Sequence, residues 1–209
     1  MARYPNNFLY NLLYHLFFPF MRVFFGFRVI GQEFLPKTGG VIVAVNHASN
    51  YDPILMGLAS PRQLCFLAKI ELFKNALLGT CFRHLGAIPL RRGAADTQAL
   101  KRAIEVLKEQ KALLVFPEGT RTKTGKLQRA RHGVGMLAVR CRVPIVPAYL
   151  SGSFHMFRRL FQHRVFVHFG EPIFVEKYKG KKLSVKDLYR QIGEDTMACI
   201  REIQNANYH

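Results

Sequence analysis

Short apolar runs of strand length, VIVAV (residues 41–45), LLVF (113–116) and PIVPAYL (144–150), recur along this chain with helical stretches between them. VIVAV and LLVF read as buried strands, and this alternation constrains the fold more than any other feature. RVIG (28–31), CFLAK (65–69), AIPL (87–90) and RVFVHFGEPI (164–173) add further strands. Of the intervening stretches, TQALKRAIEVLKEQ (97–110) carries Leu100, Ala103, Ile104 and Leu107 at i, i+3, i+4 and i+7, the stripe of an amphipathic helix, and Asp96 is a candidate N-cap. One or two helices are expected in ELFKNALLGTCFRHLG (71–86), one in HGVGMLAVRC (132–141), and a last one over about 184–203. Strands regularly separated by helices predict an α/β domain: layered, with a mostly parallel central sheet flanked by helices.

The chain has 209 residues, enough for one ordinary domain with a full core and no disulfide or metal staples. Its formal charge of +18 predicts anionic partners: nucleic acid, phosphorylated metabolites or an acidic membrane surface. No nucleic-acid-binding motif is recognisable, and the aromatics concentrate in one amino-terminal segment instead of alternating with basic clusters. Cys65, Cys81, Cys141 and Cys199 are scattered, without metal-ligand spacing, and read as reduced, mostly buried thiols in a cytosolic compartment.

That amino-terminal segment, YPNNFLYNLLYHLFFPFMRVFFGF (4–27), is apolar but interrupted by Asn11, His15, Pro19 and Arg22. A membrane-spanning helix needs about 20 nearly uninterrupted apolar residues, and the segment also lacks the pattern of a signal peptide. Two short interfacial helices broken near Pro19 are expected, with aromatics at the headgroup boundary and Arg22 and Arg28 near lipid phosphates. A greasy helix packed on its own domain is the alternative. The expected division is therefore 1–27, a membrane-docking segment, and 28–209, a catalytic domain.

Strand ends carry the chemistry in α/β proteins. NHASNYD (46–52) follows VIVAV directly and places His47 at a strand end with Asp52 five residues on. An imidazole can take a proton from an alcohol near neutral pH, and a carboxylate on its other nitrogen would fix the tautomer. Alternatively Asp52 caps a helix, because Pro53 suits a first helical turn and puts Asp52 at the N-cap. No nucleophile elbow is present, so the hydroxyl to be activated belongs more naturally to a substrate. FPEGTR (116–121) turns the chain at the end of LLVF and presents Glu118 and Arg121, the latter suited to a bidentate grip on phosphate. GAIPLRR (86–92) delivers Arg91 and Arg92 at another strand end.

In combination these blocks resemble the glycerolipid acyltransferases. NHASNYD matches their N-H-x-x-x-x-D motif, GAIPLRR resembles the second block with its arginine at Arg92, FPEGTR matches the third, and VPIVPAY (143–149) looks like the fourth, all in the family's order. The resemblance implies transfer of a fatty acyl group from acyl-CoA or acyl carrier protein to the sn-2 hydroxyl of lysophosphatidic acid. Other acceptors of the same family, such as glycerol-3-phosphate, a lysophospholipid or a lyso-aminolipid, stay open. His47 would be the base and Asp52 its orienter; Arg92 and Arg121 would hold the acceptor phosphate with Glu118 and Gly119, and Lys69 after CFLAK would help. Arg131, in RHG where relatives often carry lysine before the glycine, is a further candidate phosphate contact. No metal or redox cofactor is implied, and the expected location is the cytoplasmic face of the cell membrane, peripheral or monotopic. The basic clusters Lys177, Lys179, Lys181 and Lys182, and Arg158 with Arg159, are candidate contacts for anionic lipid.

Overall fold

Every residue of VIVAV is buried, which requires cover on both faces of its sheet and therefore a central strand. In the computed structural model, which describes residues 8–90, 97–154, 165–180 and 182–206, that cover is supplied by helices. Arg91, Arg92, Asp96, Arg158, Arg159 and Lys181 lie outside the described residues. The strands are β1 (Arg28–Ile30), β2 (Val41–Val45), β3 (Leu64–Lys69), β4 (Ala87–Leu90), β5 (Ala112–Val115), β6 (Ile145–Ser151) and β7 (Phe166–Phe169). They form one sheet in the order β1-β7-β6-β2-β5-β3-β4, parallel throughout except for the β6–β7 pair. The mostly parallel α/β sheet expected from the sequence is the fold observed.

The helices are α1 (Phe8–Phe25), α2 (Asp52–Ala59), α3 (Ala76–His84), α4 (Thr97–Lys108), α5 (Gly133–Cys141) and α6 (Val185–Ala206). Alternation along β2 divides the core. Val41, Val43 and Val45 pack with Tyr14, Met21 and Phe25 of α1 and with Leu55, Met56 and Leu58 of α2. Ile42 and Ala44 face the opposite side, toward Ala103 and Leu107 of α4, Leu137 of α5 and Ile192 of α6. The β3-α3-β4 crossover runs in the same direction along the sheet as β2-α2-β3, so right-handed connection puts α3 on the α1–α2 side.

The amino-terminal segment departs from expectation, because α1 is one helix of 18 residues running through Pro19. Proline forfeits one hydrogen bond, to the carbonyl four residues back, and crowds the preceding turn. Packing on both sides of it outweighs that loss. Tyr14 stacks on Phe18 at 5.1 Å, Phe18 meets Phe27 edge-on at 5.9 Å, and Tyr14, Met21 and Phe25 are buried in the sheet core. The other side of α1 exposes Phe8, Leu12, Leu16, Phe17, Phe20, Val23 and Phe24. No helix among the described residues is long and apolar enough to cross a membrane.

Candidate active site

The chain leaves β2 toward β3 on one side of it and leaves β5 toward β6 on the other. The carboxyl ends of the adjacent strands β2 and β5 therefore flank a topological switch point, the place where open α/β sheets form a ligand crevice. β2 delivers His47 there and β5 delivers the turn that begins at Phe116. Beyond β5, β3 ends at Lys69, which is exposed and pairs in register with Leu90, the last residue of β4 and the one that leads into Arg91 and Arg92. The sheet thus brings four strand ends to one edge.

His47 is tied down on every side. Its Nδ1–H donates to Asp52 Oδ2 at 2.7 Å, the same oxygen that accepts the main-chain N–H groups of Ala48 at 2.7 Å and Ser49 at 2.8 Å. An oxygen accepting two main-chain donors must also act as acceptor toward the ring, and that assigns the proton to Nδ1 and the lone pair to Nε2. The Asp52 side chain is wholly buried while that of His47 retains 14% exposure. Two rings complete the fixation: His47 stacks on Phe116 with centroids 3.8 Å apart and planes 17° from parallel.

The reading of Asp52 as an N-cap is corrected by this geometry. Tyr51 occupies the N-cap of α2 without a side-chain hydrogen bond, and Asp52 stands inside the first turn, followed by Pro53. Its carboxylate points back into the loop of residues 47–49, because three donors there outbid the free N–H groups of the helix start.

Glu118 is 3% exposed, and both of its oxygens accept main-chain N–H groups: Oε1 from His47 at 3.1 Å and Oε2 from Gln128 at 3.2 Å. Burial raises its pKa above the ordinary glutamate value, against the pull of those donors. The carboxylate thus joins the two loops from inside. Thr122 closes the other side of the histidine by donating its N–H to the His47 carbonyl at 2.8 Å. Gly119 has φ +71°, a left-handed conformation that glycine adopts without strain, and the Arg131 side chain lies across it: a Cβ there would stand 2.6 Å from Arg131 Cδ. Arg131 is fixed to the same turn through its N–H on the Pro117 carbonyl at 2.8 Å. Arg121 is exposed and makes no ion pair among the described residues.

The structure therefore brings together His47, Asp52, Glu118, Gly119, Arg121 and Arg131, and sets Lys69 on the same sheet edge. Sequence reading missed Phe116 as the stacking partner and Asn46 as the brace. Asn46 is buried and exchanges two hydrogen bonds with Leu150 of β6, Nδ2–H to the carbonyl at 3.0 Å and Oδ1 from the N–H at 2.8 Å. A buried amide at a strand end, beside a candidate base, was the available signal. Among the described residues no group of three or more His, Cys, Asp or Glu side chains is placed to hold a metal ion.

Comparison with known proteins fits this site. The acyltransferase family model matches residues 26–151, which include β2, β5 and every element around the crevice. The chain belongs to the acyltransferase family. Among its relatives is the 1-acyl-sn-glycerol-3-phosphate acyltransferase of Bacillus subtilis, 28% identical over 86% of this chain and 89% of the relative. The enzyme of the same name from Streptococcus pneumoniae is 32% identical over 66% of this chain and 52% of its own length. This acyltransferase thus spans about half of some relatives it matches and most of others. The crystal structure of the 1-acyl-sn-glycerophosphate (LPA) acyltransferase PlsC from Thermotoga maritima superposes with a TM-score of 0.67 at 32% identity, covering 85% of this chain and 72% of that one.

Proposed function

We propose that this acyltransferase moves a fatty acyl group from a thioester, carried by coenzyme A or acyl carrier protein, to the sn-2 hydroxyl of lysophosphatidic acid, giving phosphatidic acid. The observation that carries the reading is the oriented His47: Nδ1–H held by buried Asp52, Nε2 left as the acceptor, and basic side chains on the same edge. Nε2 takes the acceptor's hydroxyl proton as its oxygen attacks the thioester carbonyl, and Asp52 stabilises the imidazolium that results. Collapse of the tetrahedral intermediate expels the thiolate, which recovers the proton from the ring. The new ester bond replaces the thioester bond without an acyl-enzyme, and the scheme uses no metal or redox cofactor.

Arg121 and Arg92 hold the acceptor phosphate, with Arg131 and Lys69 as further contacts; Glu118 and Gly119 serve that grip by shaping the turn. Holding both substrates in line supplies much of the acceleration, since effective molarities reach about 10⁵ M in well-oriented systems. The exposed apolar face of α1 lies in the headgroup region of a membrane, where acceptor and product reside, and residues 1–27 act as the docking segment of a peripheral or monotopic protein at the cytoplasmic face. The resemblance and the relatives' names support lysophosphatidic acid over glycerol-3-phosphate as acceptor.

The test offers labelled acyl-CoA and acyl-acyl carrier protein to a panel of lyso-acceptors in detergent, with His47→Ala as control. Phosphatidic acid should be the main product and the control should lose at least about a hundredfold in turnover. Preferred acylation of another acceptor, or substantial turnover by a folded His47→Ala, would refute the assignment.

A further inference from the structure

Helix α3 exposes leucine where a soluble domain ordinarily places polar residues. Leu77 is 81% exposed, Leu78 55%, and Leu72 in the preceding turn 45%. The helix is nonetheless firmly seated. Asn75 caps it by accepting the Leu78 N–H at 3.0 Å, and buried Gly79 rests on Phe73 so closely that a Cβ would stand 2.9 Å from the Phe73 carbonyl oxygen.

Leu77 and Leu78 occupy the first turn of α3 and Leu72 the turn before it, just past the carboxyl end of β3, on the catalytic edge of the sheet. Ile54, 56% exposed, and Tyr51 stand at the equivalent place on α2, directly after His47. The α1–α2–α3 side of the sheet thus carries most of the exposed large apolar side chains of the described residues, with Ile30, Phe174, Leu183 and Val185 lying elsewhere. The charge of this stretch suits an anionic surface. Lys69, Lys74 and Arg83 are exposed, Glu71 is the only carboxylate in residues 69–84, and the Arg83 guanidinium lies 5.6 Å from the centre of the Phe73 ring.

We propose that the first turn of α3, Leu77 and Leu78 with Leu72, inserts into an anionic bilayer as a second docking point beside the mouth of the crevice. The proposal rests on the membrane reading of α1 and extends it: the domain lies on lipid by a whole face, and the acceptor reaches His47 without leaving the interface. Exposed leucines in a basic stretch of chain combine apolar burial with attraction to lipid phosphates.

The chain contains no tryptophan, so Leu77→Trp places a single reporter in α3 and Phe20→Trp a single reporter in α1. Each full-length variant is titrated with vesicles of brominated phosphatidylcholine and phosphatidic acid, and separately with acyl carrier protein alone. Both reporters should shift to the blue and lose roughly half or more of their emission on vesicles. The Leu77→Ser/Leu78→Ser variant should bind the same vesicles about tenfold more weakly and keep its turnover on detergent-dispersed acceptor. An unquenched Leu77→Trp beside a quenched Phe20→Trp would overturn the α3 contact and leave α1 docking standing. Silence from both would remove the membrane reading itself. A Leu77→Trp response to acyl carrier protein and not to vesicles would make the patch a protein dock, which also overturns the proposal, as would unchanged vesicle affinity of the serine variant.

Discussion

Replacing Asp52 by asparagine should lower turnover about a hundredfold while leaving the His47 tautomer unchanged. The amide has two orientations, and the structure selects one. Turning its NH₂ toward the loop would set a donor against three donors, from His47, Ala48 and Ser49, so the amide oxygen must take the place of Oδ2. The NH₂ then falls at Oδ1, a buried atom that has no partner among the described residues. The ring stays held and what disappears is charge. Unit charges about 3 Å apart attract by about 5–6 kcal/mol at an effective dielectric of about 20. A proton half transferred in the transition state realises roughly half of that, about 3 kcal/mol, or about a hundredfold in rate. Steady-state acyl transfer gives the turnover, and ¹⁵N chemical shifts of the His47 ring report which nitrogen bears the proton. A variant within a few-fold of the parent enzyme would refute the charge argument. A loss of several orders of magnitude with the proton moved to Nε2 would refute the amide orientation.

Other perturbations separate the remaining roles. Arg121→Ala should raise the acceptor KM roughly tenfold or more, through lost charge-assisted hydrogen bonds to phosphate, with little change in the KM of the acyl donor; steady-state kinetics varying one substrate at a time checks it, and a fall in turnover alone would contradict the role. Asn46→Ala leaves the Leu150 N–H and carbonyl buried without their partner and should cost about 2–4 kcal/mol, read as a lower urea midpoint. Because burial raises the pKa of Glu118, the folded state holds that proton to higher pH than the unfolded chain does. Its contribution to stability is therefore greatest below the ordinary glutamate value and declines as pH rises through the interval up to the folded-state value. Glu118→Gln should flatten the urea midpoint against pH across that interval, and an unchanged slope would show that another group titrates there.

What the sequence revealed was local in origin. VIVAV, LLVF and the stripe of α4 announce their structure within a few residues, and His47 and Asp52 meet because a five-residue loop suffices to close them. The partners of that pair were hidden because they depend on strand order. Phe116 reaches His47 only once β5 inserts beside β2, and Glu118 lies 71 residues from the N–H it accepts. Asn46 finds Leu150 across 104 residues. The Pro19 reading failed for a related reason: a backbone preference was weighed without the tertiary contacts of Phe18 and Met21 that override it. The alternative of Asp52 as a cap fails because Pro53 fits more than one position of a helical start, and only the loop donors decide where the carboxylate points.

Of the four ties on His47, the three that reach beyond its own loop all come from the single segment after β5: the Phe116 ring, the Glu118 carboxylate and the Thr122 N–H. The fourth, from Asp52, belongs to the histidine's own loop. His47 and the turn that bears Arg121 are consequently one mechanical part assembled from two distant stretches of chain. Substitutions in either stretch cannot act independently; in double-mutant cycles their effects should depart from additivity by about 0.5–3 kcal/mol. A change tolerated in one loop can thus become damaging, or necessary, according to what stands in the other.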